Sequence, residues 1–579
     1  MKKYWGWVGL FLVVCLFFSV ARQHIIGGFS DEPMFILLAQ SLWHGLFKLP
    51  MVKMPITDPL PGYPLLLALP VHLLGGHWNY YFLIGFFQTI VSLYFSWLLA
   101  REILTTEMSL AAFLLISINP VILFYSGAVF LDTAYLASSV ILFYALYQTE
   151  EKSVLYWAPL AALSPLIKPH GVILVFCLMV LISLRFNWKK AILFGFVSCL
   201  PLALWFLRNH LVAGTSMGYI NNWLSQASLT QNGENPFKHG EEIIASLWCG
   251  GLLGMSNRAW TFIPFWMSLS FGFIFIFLFS SGVVKLMKDL RRQPLVFSIA
   301  LYVILVTLLH CLWPSLSIRY AIPLIPFLWI FIAAGLEGVE GGRTKKWALV
   351  LISLILIRSG AMDGPMLRAS KGKPFIMPDT LKWIREKTRP AARIATYDPA
   401  MVLLASQRYA ITAVANDFDS WISLLVRGRF DYIVAISFYY PDGFTSKYDI
   451  LTRSREDSWM RQSPYFKKVY SNPKEGTVIY HFSHPHPQRF LKAYHDFNEA
   501  KIAMILGYAR RKNFVRKELK EAVRLEPTLA YAWAALGSIE ASPRKRLYDF
   551  ERAYQADPSS TKIAADLARL NAKSNPKVF

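Results

Sequence analysis

The chain has 579 residues, of which 55% are hydrophobic and only 16% are charged, whereas about 25% of residues are charged in ordinary soluble domains. This composition excludes a soluble globular protein and indicates an integral membrane protein. The formal net charge of +23 would suit a nucleic-acid partner, but much of the positive charge falls in short loops between apolar runs, where it sets membrane topology. We therefore expect no nucleic-acid partner.

Apolar runs of about 17 to 25 residues, each able to cross a hydrocarbon core about 30 Å thick, fill the chain from Tyr4 to Gly360. Basic residues recur at every second loop, as the positive-inside rule expects of cytoplasmic loops. The pattern predicts about eleven transmembrane helices and a cytoplasmic N-terminus. A last span, Trp347 to Gly360, then delivers the rest of the chain to the outer face. The basic loop residues are Lys2-Lys3, Arg101, Lys152, Arg185 with Lys189 and Lys190, Lys285 with Lys288, Arg291 and Arg292, and Arg343 with Lys345 and Lys346.

The first apolar run, Tyr4 to Ala21, has a competing interpretation. Lys2-Lys3, the apolar stretch and Ser19-Val20-Ala21 together resemble a secretory signal with a small-residue cleavage site. The run is long for a signal peptide, and cleavage would release the acidic segment that follows from its membrane anchor. We therefore predict an uncleaved first span.

An acidic pair, Asp31 and Glu32, follows this span in Ser30-Asp31-Glu32-Pro33. Ser30 or Asp31 could cap a helix whose first turn contains Pro33. Asp31 could equally be a catalytic carboxylate at the lipid surface, and the two roles are compatible because a helix N-terminus favours an ionised carboxylate. The apolar pieces between Pro33 and Gly76 are too short to cross the membrane, which predicts interfacial or re-entrant helices.

Three basic residues, Lys168, Arg208 and Arg319, lie at the outer ends of spans, against the positive-inside bias. A phosphate at the outer surface would account for all three, since Arg and Lys are the usual phosphate ligands. The alternative is that each side chain snorkels to lipid headgroups. Asp132, at the outer end of another span, is either a solvated loop carboxylate or a second site carboxylate that contacts a basic group.

Metal and nucleotide sites have little support in the sequence. The histidines show no zinc-like spacing, and Glu241-Glu242 fits a solvated helix turn. The five cysteines form no disulfide framework, and there is no Walker-type loop or strand-linked G-x-G-x-x-G. We expect no metal and no cofactor.

After the last span, charged residues become frequent and no apolar run is long enough to cross the membrane. We therefore predict three domains: a membrane domain at 1–360, an α/β domain at 361–487 and a helical segment at 488–579. Alternating helical and strand-like stretches support the second domain. They are a helix over Asp379 to Lys387, a strand over Arg393 to Thr396, a helix over Phe418 to Leu425 and a strand over Tyr432 to Ser437.

The final segment contains a repeat-like pattern, in which Ala522 with Pro527 is followed by Ala553 with Pro558. Trp533, Leu536 and Gly537 fall where the first helix of a tetratricopeptide pair would have them. The segment could be a helical cap on the preceding domain, or it could dock a protein partner or the acceptor of a reaction.

Taken in order, these features resemble the polytopic GT-C glycosyltransferases that use polyprenyl-phosphate-linked sugars, such as the protein O-mannosyltransferase and lipid A aminoarabinose transferase families. The resemblance covers roughly the first 360 residues. It is carried by Asp31-Glu32, Asp58-Pro59-Leu60-Pro61-Gly62-Tyr63-Pro64, Asp132, Lys168-Pro169-His170, Arg208-Asn209 with Gly214, and Arg319-Tyr320 with Pro323 and Pro326.

The resemblance implies a membrane all-α fold. Its parts are a bundle of many transmembrane helices with juxtamembrane helices, an extracytoplasmic α/β domain and, here, the tetratricopeptide-like helical segment. Pro33 directly after the acidic pair and the lack of a doubled proline before Leu65 depart from relatives, which leaves the sugar open.

The resemblance also implies roles for the candidate residues. Asp31 becomes the general base with Glu32 as its neighbour. From their own chemistry and position, we expect Lys168, Arg208 and Arg319 to bind the donor phosphate, and Asp132, His170 and Tyr320 to form an acceptor or second site. One base with cations can suffice because a phosphate leaving group needs charge neutralisation more than protonation. A single displacement with inversion is expected, from a polyprenyl-phosphate sugar in the membrane lipid to a glycan, lipid or protein acceptor.

The sequence leaves two other classes of function open, a transporter and a scaffold. A transporter or flippase for lipid-linked saccharides would place functional charges near the membrane midplane and show related sequence halves, whereas the candidate charges lie at outer span ends. A non-enzymatic scaffold has only the repeat-like tail in its favour.

Overall fold

The computed structural model describes residues 2–24, 26, 31–49, 56–214, 265–289, 292–311, 318–338, 350, 377–413, 415, 417–436, 458–461, 463–505, 512–558 and 560–574. The chain forms two compact units. Unit 1 comprises Met1–Ile376 and Tyr440–Phe444, and unit 2 comprises Met377–Tyr439 and Thr445–Phe579. The predicted last span falls outside the described residues, except at position 350. The predicted domain boundaries after 360 and 487 stay predictions.

The described part of unit 1 is helical. Its helices are α1 (Lys2–Ala21), α2 (Glu32–Trp43), α3 (Gly62–Leu74), α4 (Phe82–Ile103), α5 (Thr106–Ser117), α6 (Pro120–Tyr125), α7 (Leu131–Gln148), α8 (Ala158–Ile167), α9 (Gly171–Arg185), α10 (Trp188–Ala213), α11 (Phe265–Leu286), α12 (Gln293–Cys311) and α13 (Ile325–Gly338). Three short 3-10 turns, Trp78–Tyr80, Glu151–Trp157 and Ile318–Ala321, connect some of them.

Judged by length and apolar composition, three helical segments among the described residues could cross a membrane: Trp78–Ile103, Trp188–Ala213 and Gln293–His310. Shorter apolar helices, α3, α5 and α9 among them, accompany these three. Long apolar helices of this kind must bury their side chains in lipid or in protein. The count of eleven spans stays a prediction.

Two short helices, α2 and α3, follow α1, where the sequence predicts short apolar helices. With 12 and 13 residues they are shorter than the roughly 20 residues that a crossing needs. They pack against each other, with the Phe35 ring edge-on to Tyr63 at 5.1 Å between centroids. Pro33 and Pro64 lie in the first turns of the two helices, where proline is well tolerated.

Glycines allow close helix packing in unit 1. A Cβ atom added to Gly282 on α11 would lie 2.0 Å from the carbonyl oxygen of Phe331 on α13, and one added to Gly335 on α13 would lie 2.2 Å from that of Leu278. The backbones of the two helices therefore touch, as small residues permit in membrane bundles. At one end of this pair, Lys285 and Glu337 form an ion pair of 2.8 Å.

Unit 2 combines a small sheet with helices. Its elements are α14 (Pro378–Lys387), β1 (Arg393–Thr396), α15 (Pro399–Ser406), β2 (Tyr409–Ile411), α16 (Phe418–Gly428), β3 (Tyr432–Ile436), β4 (Phe466–Asn472), β5 (Thr477–Phe482), α17 (Pro487–Ile505), α18 (Lys512–Leu525), α19 (Ala530–Ile539), α20 (Pro543–Ala556) and α21 (Thr561–Ser574). The five strands lie in the order β2-β1-β3-β5-β4. β1 is parallel to β2 and β3, and β5 is antiparallel to β3 and β4.

The predicted elements of the α/β region are confirmed, with α14, β1, α16 and β3 at or within a few residues of the expected bounds. Ser437, the predicted end of β3, lies outside the described residues. The helices after residue 487 share one hydrophobic core with the sheet, in which Trp421 and Phe466 join Phe490, Leu519 and Leu529. The tetratricopeptide-like character of α19 and α20 stays a prediction.

Candidate active site

Asp31 stands at the start of α2 because Glu32 opens the helix and Pro33 occupies its first turn. Among the described residues, the Asp31 carboxylate accepts no capping hydrogen bond from that turn. Its Oδ2 instead lies 3.0 Å from Nη1 of Arg319. Ser30, the other predicted cap, lies outside the described residues. The side chain of Asp31 is therefore engaged with a cation, not with the helix end, and one third of it (33%) remains exposed.

Arg319 lies on the 3-10 turn Ile318–Ala321 that precedes α13. Its guanidinium carbon is 5.1 Å from the ring centroid of Phe130 and 5.4 Å from that of Tyr320. Aromatic rings at this distance attract a cation through their quadrupoles. The two rings and the Asp31 carboxylate together hold the guanidinium in place inside the bundle.

Asp132 and Lys168 form a second ion pair. Asp132 lies in the first turn of α7 and is 1% exposed, and Lys168 follows the last turn of α8 and is 7% exposed. The Lys168 ammonium contacts Oδ1 of Asp132 directly. These contacts contradict the solvated-loop alternative for Asp132. They also contradict snorkelling for Lys168 and Arg319, because both cations contact carboxylates within the bundle.

The ring of Tyr320 joins the two ion pairs. The Lys168 ammonium lies 5.4 Å from the ring centroid of Tyr320, the same distance as the Arg319 guanidinium. The structure therefore brings together five of the eight predicted site residues: Asp31, Asp132, Lys168, Arg319 and Tyr320. A side chain 288 positions after Asp31 meets it here.

His170 borders the same cluster, next to a histidine that the sequence analysis missed. His170 lies 5.4 Å from His310 between ring centroids, and His310 lies 5.1 Å from Tyr320. The Nδ1 atom of His310 donates to the carbonyl oxygen of Val306 at 2.7 Å, since a carbonyl can only accept. A single histidine in the apolar helix α12 carries no spacing signal. Its place at the end of a span, nine residues before Arg319 along the chain, was the clue available.

Glu32 has a different environment from Asp31. It is fully buried, and its Oε1 accepts a hydrogen bond from the backbone N–H of Val129 at 2.8 Å and lies 2.7 Å from Nε2 of His24. The carboxylate thus ties the start of α2 to the segment before α7. Phe130, which packs against Arg319, is the next residue along that segment.

Arg208 contacts another part of unit 1. Its Nη1 donates to the carbonyl oxygen of Ile56 at 2.6 Å and to Oδ1 of Asn209 at 2.9 Å, and its guanidinium lies 4.7 Å from the ring of Trp205. Asn209 donates to the carbonyl of Thr57 at 3.3 Å. The pair Arg208-Asn209 therefore fastens the end of α10 to the segment that leads into α3.

Metal ligands are few where the structure is described. Within those ranges, no group of three or more His, Cys, Asp or Glu side chains is placed to hold a metal ion. Glu241 and Glu242 lie outside the described residues. The expectation of a metal-free site stays a prediction.

The geometry defines a class of site: two carboxylate–cation pairs around one tyrosine ring, in a helical membrane unit followed by a smaller α/β unit. Such a site can bind an anionic group through its cations and accept a proton at its partly exposed carboxylate. The fold that carries it is shared with solved structures of another protein.

Among the solved structures that this chain resembles are two of ArnT from Cupriavidus metallidurans. The crystal structure of ArnT bound to undecaprenyl phosphate matches with a TM-score of 0.54 and 12% identity, over 82% of this chain and 98% of that chain. The structure of ArnT in the apo state matches with a TM-score of 0.53 and 12% identity, over 83% and 98%. At this identity the likeness establishes the fold.

No protein-family model matches the sequence, and no curated protein matches it.

Proposed function

We propose that this protein is an integral membrane glycosyltransferase. It moves a sugar from a polyprenyl-phosphate donor to an acceptor hydroxyl on the extracytoplasmic face, with Asp31 as the general base. The observation that carries the proposal is the meeting of the Asp31–Arg319 and Asp132–Lys168 pairs at Tyr320. The shared fold with ArnT, one structure of which contains undecaprenyl phosphate, supports the choice of donor.

The cations suit a phosphate leaving group. As the bond from the anomeric carbon to the phosphate oxygen breaks, the phosphate gains a second negative charge. Arg319 and Lys168 lie in a largely water-excluded environment, where fixed charges stabilise such a developing charge strongly. Arg208 is the proposed third phosphate ligand, and its contacts with Ile56 and Asn209 also hold the segment before α3.

The Asp31–Arg319 contact suggests how donor binding enables Asp31 to accept a proton. A donor phosphate oxygen entering beside Arg319 competes with Asp31 for the guanidinium, because both are anionic ligands of the same group. Asp31 Oδ2 then accepts the proton of the acceptor hydroxyl while the acceptor oxygen bonds to the anomeric carbon. The electron pair of the broken bond leaves with the phosphate, and the configuration at the anomeric carbon inverts.

The remaining predicted residues support this centre. Glu32, tied to Val129 and His24, is proposed to position the start of α2 and the Phe130 ring. Asp132 holds Lys168, and His170 and Tyr320 border the region where the acceptor would enter. Unit 2 is proposed to lie on the extracytoplasmic side, with its helical segment available to the acceptor or a protein partner.

The test is transfer from a radiolabelled polyprenyl-phosphate sugar by the purified full chain in liposomes. Asp31→Asn should lower the transfer rate by about 10²–10⁴-fold, the usual range for a lost general base, while the amount in the membrane is unchanged. Asp289→Asn, which alters a surface pair with Arg292, is the matched control and should transfer normally.

Normal turnover by the Asp31→Asn variant would refute the assignment of the base. Movement of labelled lipid across the bilayer without labelled product would instead identify a flippase.

A further inference from the structure

Unit 2 contains a cavity of about 250 Å³ between the sheet region and the C-terminal helices. The residues that line it include the aromatic Trp459 and Tyr465 and four residues with hydrogen-bonding side chains: Ser463, Thr528, Gln555 and Asp557. Nothing in the proposed transfer reaction uses this cavity.

Contacts behind the lining hold its walls in place. The Tyr465 hydroxyl lies 2.9 Å from Oγ1 of Thr528, which in turn donates to Oε1 of Glu526 at 2.7 Å. The Trp459 ring packs against Trp421, with 5.7 Å between centroids. Asp557 is only 3% exposed. The side chains of Tyr465 and Thr528, held by these hydrogen bonds, lose little entropy when a ligand binds beside them.

The chemistry of the lining favours a neutral ligand rich in hydroxyl groups. A carboxyl, a carboxamide and two hydroxyls supply several donors and acceptors, and the aromatic rings suit the C–H faces of a sugar ring. Asp557 disfavours an anion. Arg552, whose Nη1 donates to Oε1 of Gln555 at 3.2 Å, places a positive charge beside the lining and disfavours a cation. The cavity is smaller than the roughly 300–1,000 Å³ of drug-sized sites, which suits a single ring.

We propose that this cavity binds one neutral sugar residue in its ring form, such as a residue of a glycan. The proposal does not depend on the transfer reaction, because binding is measured without turnover.

The test uses the purified full chain in detergent micelles and saturation-transfer difference NMR. The probes are the methyl glycosides of glucose, galactose, mannose and N-acetylglucosamine. Dissociation constants come from titration. At least one glycoside should bind, and Gln555→Ala and Asp557→Asn should each weaken binding by about tenfold, the equivalent of one hydrogen bond. Glu551→Ala, an exposed change on the same helix, is the matched control and should bind as the unaltered chain does.

Thermal unfolding tests whether each variant is folded. Because Gln555 is exposed, Gln555→Ala should disturb the fold less than Asp557→Asn does. The proposal is overturned if none of the four glycosides binds, or if both variants bind as well as the control. Binding of Nα-acetyl-lysine amide with the same dependence on Asp557 would also overturn it, since the site would then be a cation site.

Discussion

Asp132 and Lys168 place a full ion pair in the interior of unit 1. Removing charges from water costs several kcal/mol for each ion, and the pair offsets this only while both partners are present. The ring of Tyr320 adds a cation–π contact to Lys168. Each charge in this cluster is therefore stabilised by its partner. Removing one partner alone should destabilise the protein.

We expect Asp132→Asn to destabilise the chain by about 3–5 kcal/mol, because it leaves the Lys168 ammonium buried without its carboxylate. Thermal unfolding of the purified protein measures the effect. The double substitution Asp132→Leu with Lys168→Met should recover much of the stability while transfer stays lost. A single variant as stable as the unaltered chain would show that the pair is not buried as described.

At the scale of elements, the α11–α13 contact depends on two glycines. The backbones approach so closely that a methyl group at position 282 would lie 2.0 Å from a backbone oxygen, which cannot move aside as a flexible side chain can. Such a contact must push the helices apart.

Gly282→Ala should therefore lower the stability of the chain by about 1–3 kcal/mol, the usual cost of overpacking. Gly76→Ala is the matched control, because nothing lies within 4 Å of its added Cβ. Thermal unfolding in the same detergent compares the two. Equal midpoints would contradict the close approach of α11 and α13.

The hairpin of α19 and α20 in unit 2 makes a pH-dependent contribution to stability. Burial raises the pKa of Asp549 on α20 from its ordinary value of 3.8 to about 6, with the charge of Glu540 adding to the shift. Because the folded state holds this proton more tightly than the unfolded state, the contribution is fully present below about pH 4 and is lost as the pH rises through about 6.

Asp549→Asn should remove this dependence. Its unfolding midpoint should match that of the unaltered chain near pH 4 and exceed it near pH 7. Scans of the full chain across this range, with the exposed Glu551→Gln as control, measure the difference. A midpoint difference that is constant with pH would contradict the raised pKa.

At the scale of the whole molecule, the two units differ in composition as well as in fold. Unit 1 contains the long apolar helices and the charge cluster, whereas unit 2 contains the sheet and the amphipathic helices. The proposed orientation follows from the basic loops, which favour the cytoplasmic side.

Alkaline phosphatase, which is active only outside the cytoplasm, should be active when fused after Phe579 and inactive when fused after Lys190. Enzyme activity normalised to the amount of fusion protein checks this expectation. The intact mass of the full chain should also include residues 1–21, which a cleaved signal would lack. The reverse pattern of activity would overturn the assigned orientation.

Local patterns were enough to predict much of the fold. The strand Arg393–Thr396 and the helix that begins at Phe418 stand where the sequence places them, because short apolar runs bounded by polar turns specify both their type and their ends. The sequence also predicted the two short helices that follow α1. The number of spans depends on segments that include undescribed residues, and it stays a prediction.

The sequence by itself singled out Asp31, Asp132, Lys168 and Arg319 as candidate site residues, because a charge in an apolar chain is costly and stands out wherever it occurs. Only the tertiary structure decided their partners. Asp31 meets a residue 288 positions away, and Glu32 bonds a backbone N–H 97 positions away. It also brought in His310 and placed Arg208 beside residues 56 and 57. The physical reason is that the cost of burying a charge is local to its residue, whereas its compensation comes from whichever group the packing of the helices brings within reach.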